Sequence, residues 1–509
     1  MNLTQSVDNV ALLPAYLAAG TAVLVLLADL VVARRGATMA VFAAGAVATA
    51  VAALLVGAGD DRRTFCVGDA CSYLANGRTA LIGALFALLT LGVLAFSTSL
   101  LRAGEVPAGE YCFLLACSMT GGVVLAGAGD LITLIVALET LTLPLYVLVG
   151  LRRRSVAGAE AAVTFFVVSV VATAVTLLGA ALLYAVTGAL HFRLLATAFA
   201  TDPELLEIPL TSAAVALVVL GLAFKVAAVP FHAWAPATYD GAPLPVAAYL
   251  STASKLGGVV ALLAVTGIAA PVAGAVVADG SLPDAVLPAS VTGPVLAALA
   301  VLTMTVGNLV ALRQTRMIRL LAWSSVAQAG YVLAPLGALA LPGGRDPGAY
   351  GTALTAALAY TVFFVVLELA AFGAVIALRS GHGDGGEIAD YRGAARRRPA
   401  VGAVLALALV GLAGLPPGLA GLFAKVTVVR SLLFGDSDWL ALVVAVNAVI
   451  GLAYYVRVAA TLYADPEPVE APSRARTPWP VAAALAVAAV LALVLGFAPQ
   501  LVLDAAAGW

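Results

Sequence analysis

Charge is scarce in this chain of 509 residues, where Asp, Glu, Lys and Arg together make up 10%. A soluble globular domain carries roughly 25%. With 63% hydrophobic residues and a mean hydropathy of +1.08, the chain falls outside the soluble classes. The net charge is −1 and the arginines are scattered through short loops, so the basic surface that nucleic-acid binding needs is missing. Cysteine is rare, at four residues. Cys112 and Cys117 lie in an apolar run and read as small hydrophobes, and no spacing matches a zinc or iron–sulfur site. No strand–GxGxxG–helix unit is present, which excludes a dinucleotide site. The opening MNLTQSVDNV has no basic segment and no small-residue cleavage site, so the first span is expected to act as its own insertion signal. Lysine is rare beside arginine: three against 23.

What is present is a succession of apolar runs, each long enough to cross a bilayer. Fourteen spans are expected, at about 10–33, 37–59, 79–101, 111–128, 131–150, 160–188, 210–234, 242–270, 292–312, 317–340, 350–379, 399–433, 438–463 and 479–503. If the N-terminus is outside, the inner loops hold sixteen arginines and the outer loops five, the sense that the positive-inside rule demands. Both termini are then outside. The polar loop 60–78, with Cys66 and Cys71, also faces out, where conditions permit a local disulfide. The Gly-rich inner loop 379–398 contains His382, which reads as a solvated lone histidine.

Five ionisable residues fall near the middles of spans: Glu139, Lys225, Lys255, Glu368 and Lys425. Each costs at least about 2.5–3.5 kcal/mol at the bilayer centre. All three lysines of the chain are among them. Arginine stays charged under nearly all conditions, whereas a desolvated lysine can exchange its proton. Lysine is therefore the residue type expected where a proton is bound and released inside a membrane. The structural alternative is snorkelling or a static ion pair, and Lys255 is too central for an easy snorkel. Arg430 and Arg457, nearer span ends, fit that alternative, and Asp130 reads as a helix N-cap.

Two of these spans are interrupted. Pro230 follows Lys225 by five residues, and Pro416 and Pro417 precede Lys425 by about two turns. The breaks fall in the seventh and twelfth spans. Breaks in corresponding positions point to inverted repeats around an ion path. The expected fold is all-α, with helices 1–3 in residues 1–110, a first five-helix repeat (spans 4–8) in 111–270, its inverted copy (spans 9–13) in 292–463, and a last helix in 479–509. His232, seven residues beyond Lys225, shares a face with it if the helix continues.

The stretches GDLITLIVALETLTLPLYVLVGL, LAFKVAAVPFHAWAPATYDGAPLPVAAYLSTASKL, GNLVALRQTRMIRLLAWSSVAQAGYVL and GLPPGLAGLFAKV resemble the antiporter-like subunits of respiratory complex I, over roughly residues 110–465. The likeness is to the N type. Lys425 stands where the M type usually has Glu, and the long lateral helix of the L type is missing. The resemblance implies a proton-translocating subunit of the bacterial plasma membrane, in a complex with M-, K- and J-type subunits. The NADH, FMN, iron–sulfur clusters and quinone of that complex belong to other chains, with no cofactor or metal here. It further implies a proton path in which Glu139 pairs with Lys225, His232 and Lys255 relay, and Lys425 releases. Glu368 departs from the pattern, and either an extra proton site or a partner for Lys425 is open to it. Two alternatives share these lysines and breaks: a multisubunit cation/proton antiporter, and a related membrane-bound hydrogenase.

Overall fold

The computed structural model describes residues 7–152, 155–267, 286–379, 384–465 and 477–507. His382 lies outside the described residues. In lipid every backbone polar group needs an internal partner, so apolar runs of this length fold as helices. Among the described residues eleven helices are long and apolar enough to cross a membrane, and they coincide with eleven of the fourteen expected spans. Length and composition alone do not bring the count to fourteen. The tenth expected span is the helix Met317–Gly337, made more polar by Arg319, Ser324, Ser325 and Gln328. The seventh and twelfth are broken.

Both breaks have local causes. The seventh span does not run to 234, because the helix Pro209–Lys225 stops on the lysine itself. Ala227 has a φ of 58°, and Pro230 has no N–H to continue the ladder. A short helix, Trp234–Gly241, resumes after the turn. The twelfth span divides into Pro399–Ala413 and Leu419–Phe434, with Gly414 at a φ of 84° and Pro416 and Pro417 in the connection. A Cβ at that φ is strained, so glycine suits the position.

The described residues are not purely helical. Strands Arg62–Val67 and Ala70–Ala75 form an antiparallel hairpin closed by the Cys66–Cys71 disulfide, as the loop composition permits. The hairpin also bonds to the segment before the helix Leu131–Gly150: the Leu74 N–H donates to the Gly127 carbonyl and the Gly129 N–H to that of Ser72, both at 2.8 Å. Asp130 caps that helix through the Thr133 N–H at 2.7 Å, as its position predicts. Cys112 and Cys117 are free thiols.

Burial separates a protein-lined interior from a lipid-facing exterior. In the span Leu244–Thr266 every residue but Ala264 is buried, whereas in the 20-residue helix Leu13–Val32 only Pro14, Ala15, Ala18, Thr21, Ala22 and Val25 are. A helix that is apolar all round suits a site enclosed by other helices. Close helix crossings use small residues, as is common in membranes. A Cβ on Gly121 would stand 2.2 Å from the Leu141 backbone nitrogen, whereas one on Gly20 would meet nothing within 4 Å. Gly121→Val is therefore expected to lower stability by about 1–3 kcal/mol, the usual cost of overpacking. Gly20→Val should leave it within about 0.5 kcal/mol of the parent. Unfolding midpoints of the two variants in detergent check the contrast.

Candidate functional site

The site is built on three lysines, each beside an irregularity in a helix. Lys225 is the last residue of its helix, where the aligned carbonyl dipoles favour a cation. Its ammonium donates to Glu139 Oε1 at 2.8 Å, to Ser169 Oγ at 3.1 Å and to Thr142 Oγ1 at 3.2 Å. Glu139 projects from the middle of Leu131–Gly150 and also accepts from the Thr173 hydroxyl at 2.6 Å. Tyr146 shares a hydrogen bond with Ser169, which extends the shell. The Lys225 side chain is 5% exposed and that of Glu139 20%. Desolvation opposes Coulomb attraction in such a pair, so it is weak as a stabilising device.

Lys255 follows a π-helical turn, Leu250–Ser254, in its buried span. Single π-turns are frequent at functional sites because the added residue reorients the side chains around it. Its ammonium donates to the Ser325 carbonyl at 2.5 Å. One turn earlier, Ser251 donates to Glu368 Oε1 at 2.6 Å and lies 3.3 Å from Ser325 Oγ. Glu368 is wholly buried, and neither its Oε2 nor the hydroxyl of Tyr239 has a hydrogen-bond partner among the described residues. The carboxyl lies within electrostatic range of Lys255 without touching it. Ser251 thus holds Glu368 beside the segment that carries Lys255, and among the described residues no hydrogen bond or ion pair joins Glu368 to Lys425.

Lys425, on Leu419–Phe434, reaches back to the end of Pro399–Ala413 and donates to the carbonyls of Leu412 at 3.1 Å and Ala413 at 2.6 Å. The helix break frees these carbonyls from backbone partners. The ammonium also stands 5.2 Å from the centre of the Tyr331 ring. No carboxylate touches it among the described residues.

His232 does not share a helix face with Lys225, because the helix has already ended. Its ring lies against Trp323, with centroids 5.1 Å apart, and among the described residues it makes no hydrogen bond to Lys225 or Lys255. Among the described residues the Lys225 and Lys255 clusters are not joined by protein hydrogen bonds, although Gly258 admits the Lys225 backbone closely: a Cβ there would be 2.9 Å from the Lys225 carbonyl carbon. Arg457 donates to the Leu312 and Gln314 carbonyls, in keeping with its position near a span end. Sequence reasoning passed over the hydroxyls of Thr142, Ser169, Thr173 and Ser251, and the run Ser324, Ser325 and Gln328. Their signal was polar residues at helical spacing inside apolar spans.

The bundle with its two interrupted helices defines a multi-pass membrane protein of the antiporter-like fold. The family described as NADH:quinone oxidoreductase/Mrp antiporter, transmembrane, matches residues 128–451, and the chain belongs to it. It is 67% identical to the NADH-quinone oxidoreductase subunit N of Salinispora tropica, with 100% of both chains covered. It is 42% identical to subunit N 2 of Streptomyces griseus, covering 99% of this chain and 94% of the relative. A chain of respiratory complex I from Thermus thermophilus, solved with bound aureothin, superposes with a TM-score of 0.77 at 29% identity, over 97% of this chain and 100% of that one. A chain of the Mrp complex from Dietzia shares the fold, with a TM-score of 0.77 at 23% identity over 97% of this chain and 96% of that one.

The Glu139–Lys225 pair makes an asymmetric prediction. Glu139→Gln strands the more deeply buried charge and should cost about 3 kcal/mol, whereas Lys225→Met leaves a partly exposed carboxylate and should cost less. The double variant should recover most of the loss, and a double-mutant cycle on unfolding midpoints in detergent measures the coupling.

Proposed function

We propose that the chain is the N-type, proton-translocating subunit of a bacterial NADH–quinone oxidoreductase, assembled with M-, K- and J-type subunits in the plasma membrane. Both termini face outward in this reading, on the arginine bias. Residues 111–270 and 292–463 form two inverted repeats, supported by a helix break beside a lysine in each. Redox chemistry on NADH, FMN, iron–sulfur clusters and quinone belongs to partner chains. This chain contributes the conducting side chains.

The observation that carries the proposal is that all three lysines are buried, and among the described residues each ammonium is held by acceptors that also tolerate its neutral form: hydroxyls, carbonyls and one partly exposed carboxylate. Protons enter from the inner side at Lys225, whose charge depends on its distance from Glu139. They pass to Lys255 and Glu368 and leave through Lys425. A relay through His232 between the first two clusters rests on its sequence position alone. Quinone reduction elsewhere acts by shifting the Glu139–Lys225 pair between two arrangements, which is a coupling of sites through a two-state element. The family also contains antiporters, and cation exchange without an electron donor distinguishes them.

In membrane vesicles carrying the assembled complex, Lys225→Ala and Lys425→Ala should each lower NADH-driven, quinone-dependent proton uptake by about a hundredfold, the scale of a lost proton-transfer group. Pumping at the full proton-to-electron ratio by either variant overturns its assigned role.

A further inference from the structure

Between the Glu368 cluster and Lys425 stands a side chain that the path described so far does not use. Gln328 is 2% exposed and lies on Met317–Gly337, one turn beyond Ser325, whose carbonyl holds Lys255. Its amide nitrogen donates to the Tyr455 hydroxyl at 2.9 Å and to the Leu412 carbonyl at 3.1 Å. Its amide oxygen accepts from the Tyr360 hydroxyl at 2.5 Å. The Leu412 carbonyl is the same one that accepts from Lys425. Tyr455 in turn shares a hydrogen bond of 2.5 Å with Ser324 and lies within electrostatic range of Glu368.

An amide in this place commits both of its donors and its acceptor to three different helices. Satisfying so many buried polar groups at once fixes their relative geometry. We propose that Gln328 is a positioning residue for the Lys425 end of the path. It holds the broken helix end on Lys425 and the Tyr455 hydroxyl on the Glu368 side. The inference rests on the proton-path reading above. The amide is neutral and neither takes nor gives the proton. It sets the alignment of groups around those that do, and it ties the Lys425 acceptor to the same helix that carries the Lys255 acceptor. A shift of Met317–Gly337 therefore alters the surroundings of both lysines together.

The test uses the assembled complex in native membranes, with NADH oxidation by a water-soluble artificial acceptor reporting the amount of complex present. Gln328→Leu has nearly the same volume and removes all three hydrogen bonds. Its expected result is an unchanged quinone KM, a kcat for proton-coupled turnover lowered about tenfold to a hundredfold, the scale of a misplaced reacting group, and an enlarged solvent deuterium isotope effect. Gln328→Glu, which keeps the shape and the acceptor for Tyr360, should recover part of the rate. A normal kcat, or a lowered kcat with an unchanged isotope effect, overturns the inference. If Gln328→Leu does not assemble, Tyr360→Phe decides by the same two readouts, since it removes one hydroxyl and no packing. Lys425→Ala is measured alongside. If it has lost pumping while Gln328→Leu is normal, only the inference fails, and if it pumps fully, the proton-path reading fails as well.

Discussion

A lysine inside a membrane has to find acceptors where backbone carbonyls are normally consumed by helix hydrogen bonds. Broken helices meet that constraint, and the architecture of the site depends on it. At Ala413 the ladder stops, Gly414 turns the chain, and two carbonyls face Lys425. At Lys225 the ladder stops on the lysine itself, so the ammonium sits at the negative end of its own helix. Without its break, the Lys425 ammonium would lose both of these carbonyls, at a cost of several kcal/mol.

The three lysines occupy chemically different settings. Lys225 touches a carboxylate, Lys255 has one within range but out of contact, and Lys425 has carbonyls and an aromatic face. The carboxylates are also unequal. Glu139 accepts two hydrogen bonds at Oε1 and is partly exposed, whereas Glu368 is wholly buried with one oxygen unpartnered among the described residues.

Connectivity is likewise uneven. From Lys255 onward, Ser325, Ser324 and Gln328 on one helix reach Tyr455, Tyr360 and the Leu412 carbonyl. Between Lys225 and Lys255 no such chain of protein groups exists among the described residues, and contact is made through backbone packing at Gly258. The Lys225–Glu139 pair is thus the more separate of the two units in its hydrogen bonding. From Lys255 to Lys425 the hydrogen-bonded groups share the helix Met317–Gly337 as their common support.

Much of this was legible in the sequence, for definite reasons. Composition and run length determine that the chain spans a membrane, because lipid permits few alternatives to a helix. Three lysines among 26 basic residues, all in apolar runs, single out the site. Proline placement locates both breaks, since a missing N–H acts locally. The tertiary structure alone decided which groups meet. Helical periodicity put His232 beside Lys225, but the chain turns before that periodicity can act. Glu368 is 113 residues from Lys255 in sequence, and only helix packing through Ser251 brings them together. The carbonyls that hold Lys255 and Lys425 carry no side-chain signature, because any residue type supplies one. A sequence names the ionisable groups, but their partners here are backbone atoms and hydroxyls on distant helices, and those are set by how the helices pack.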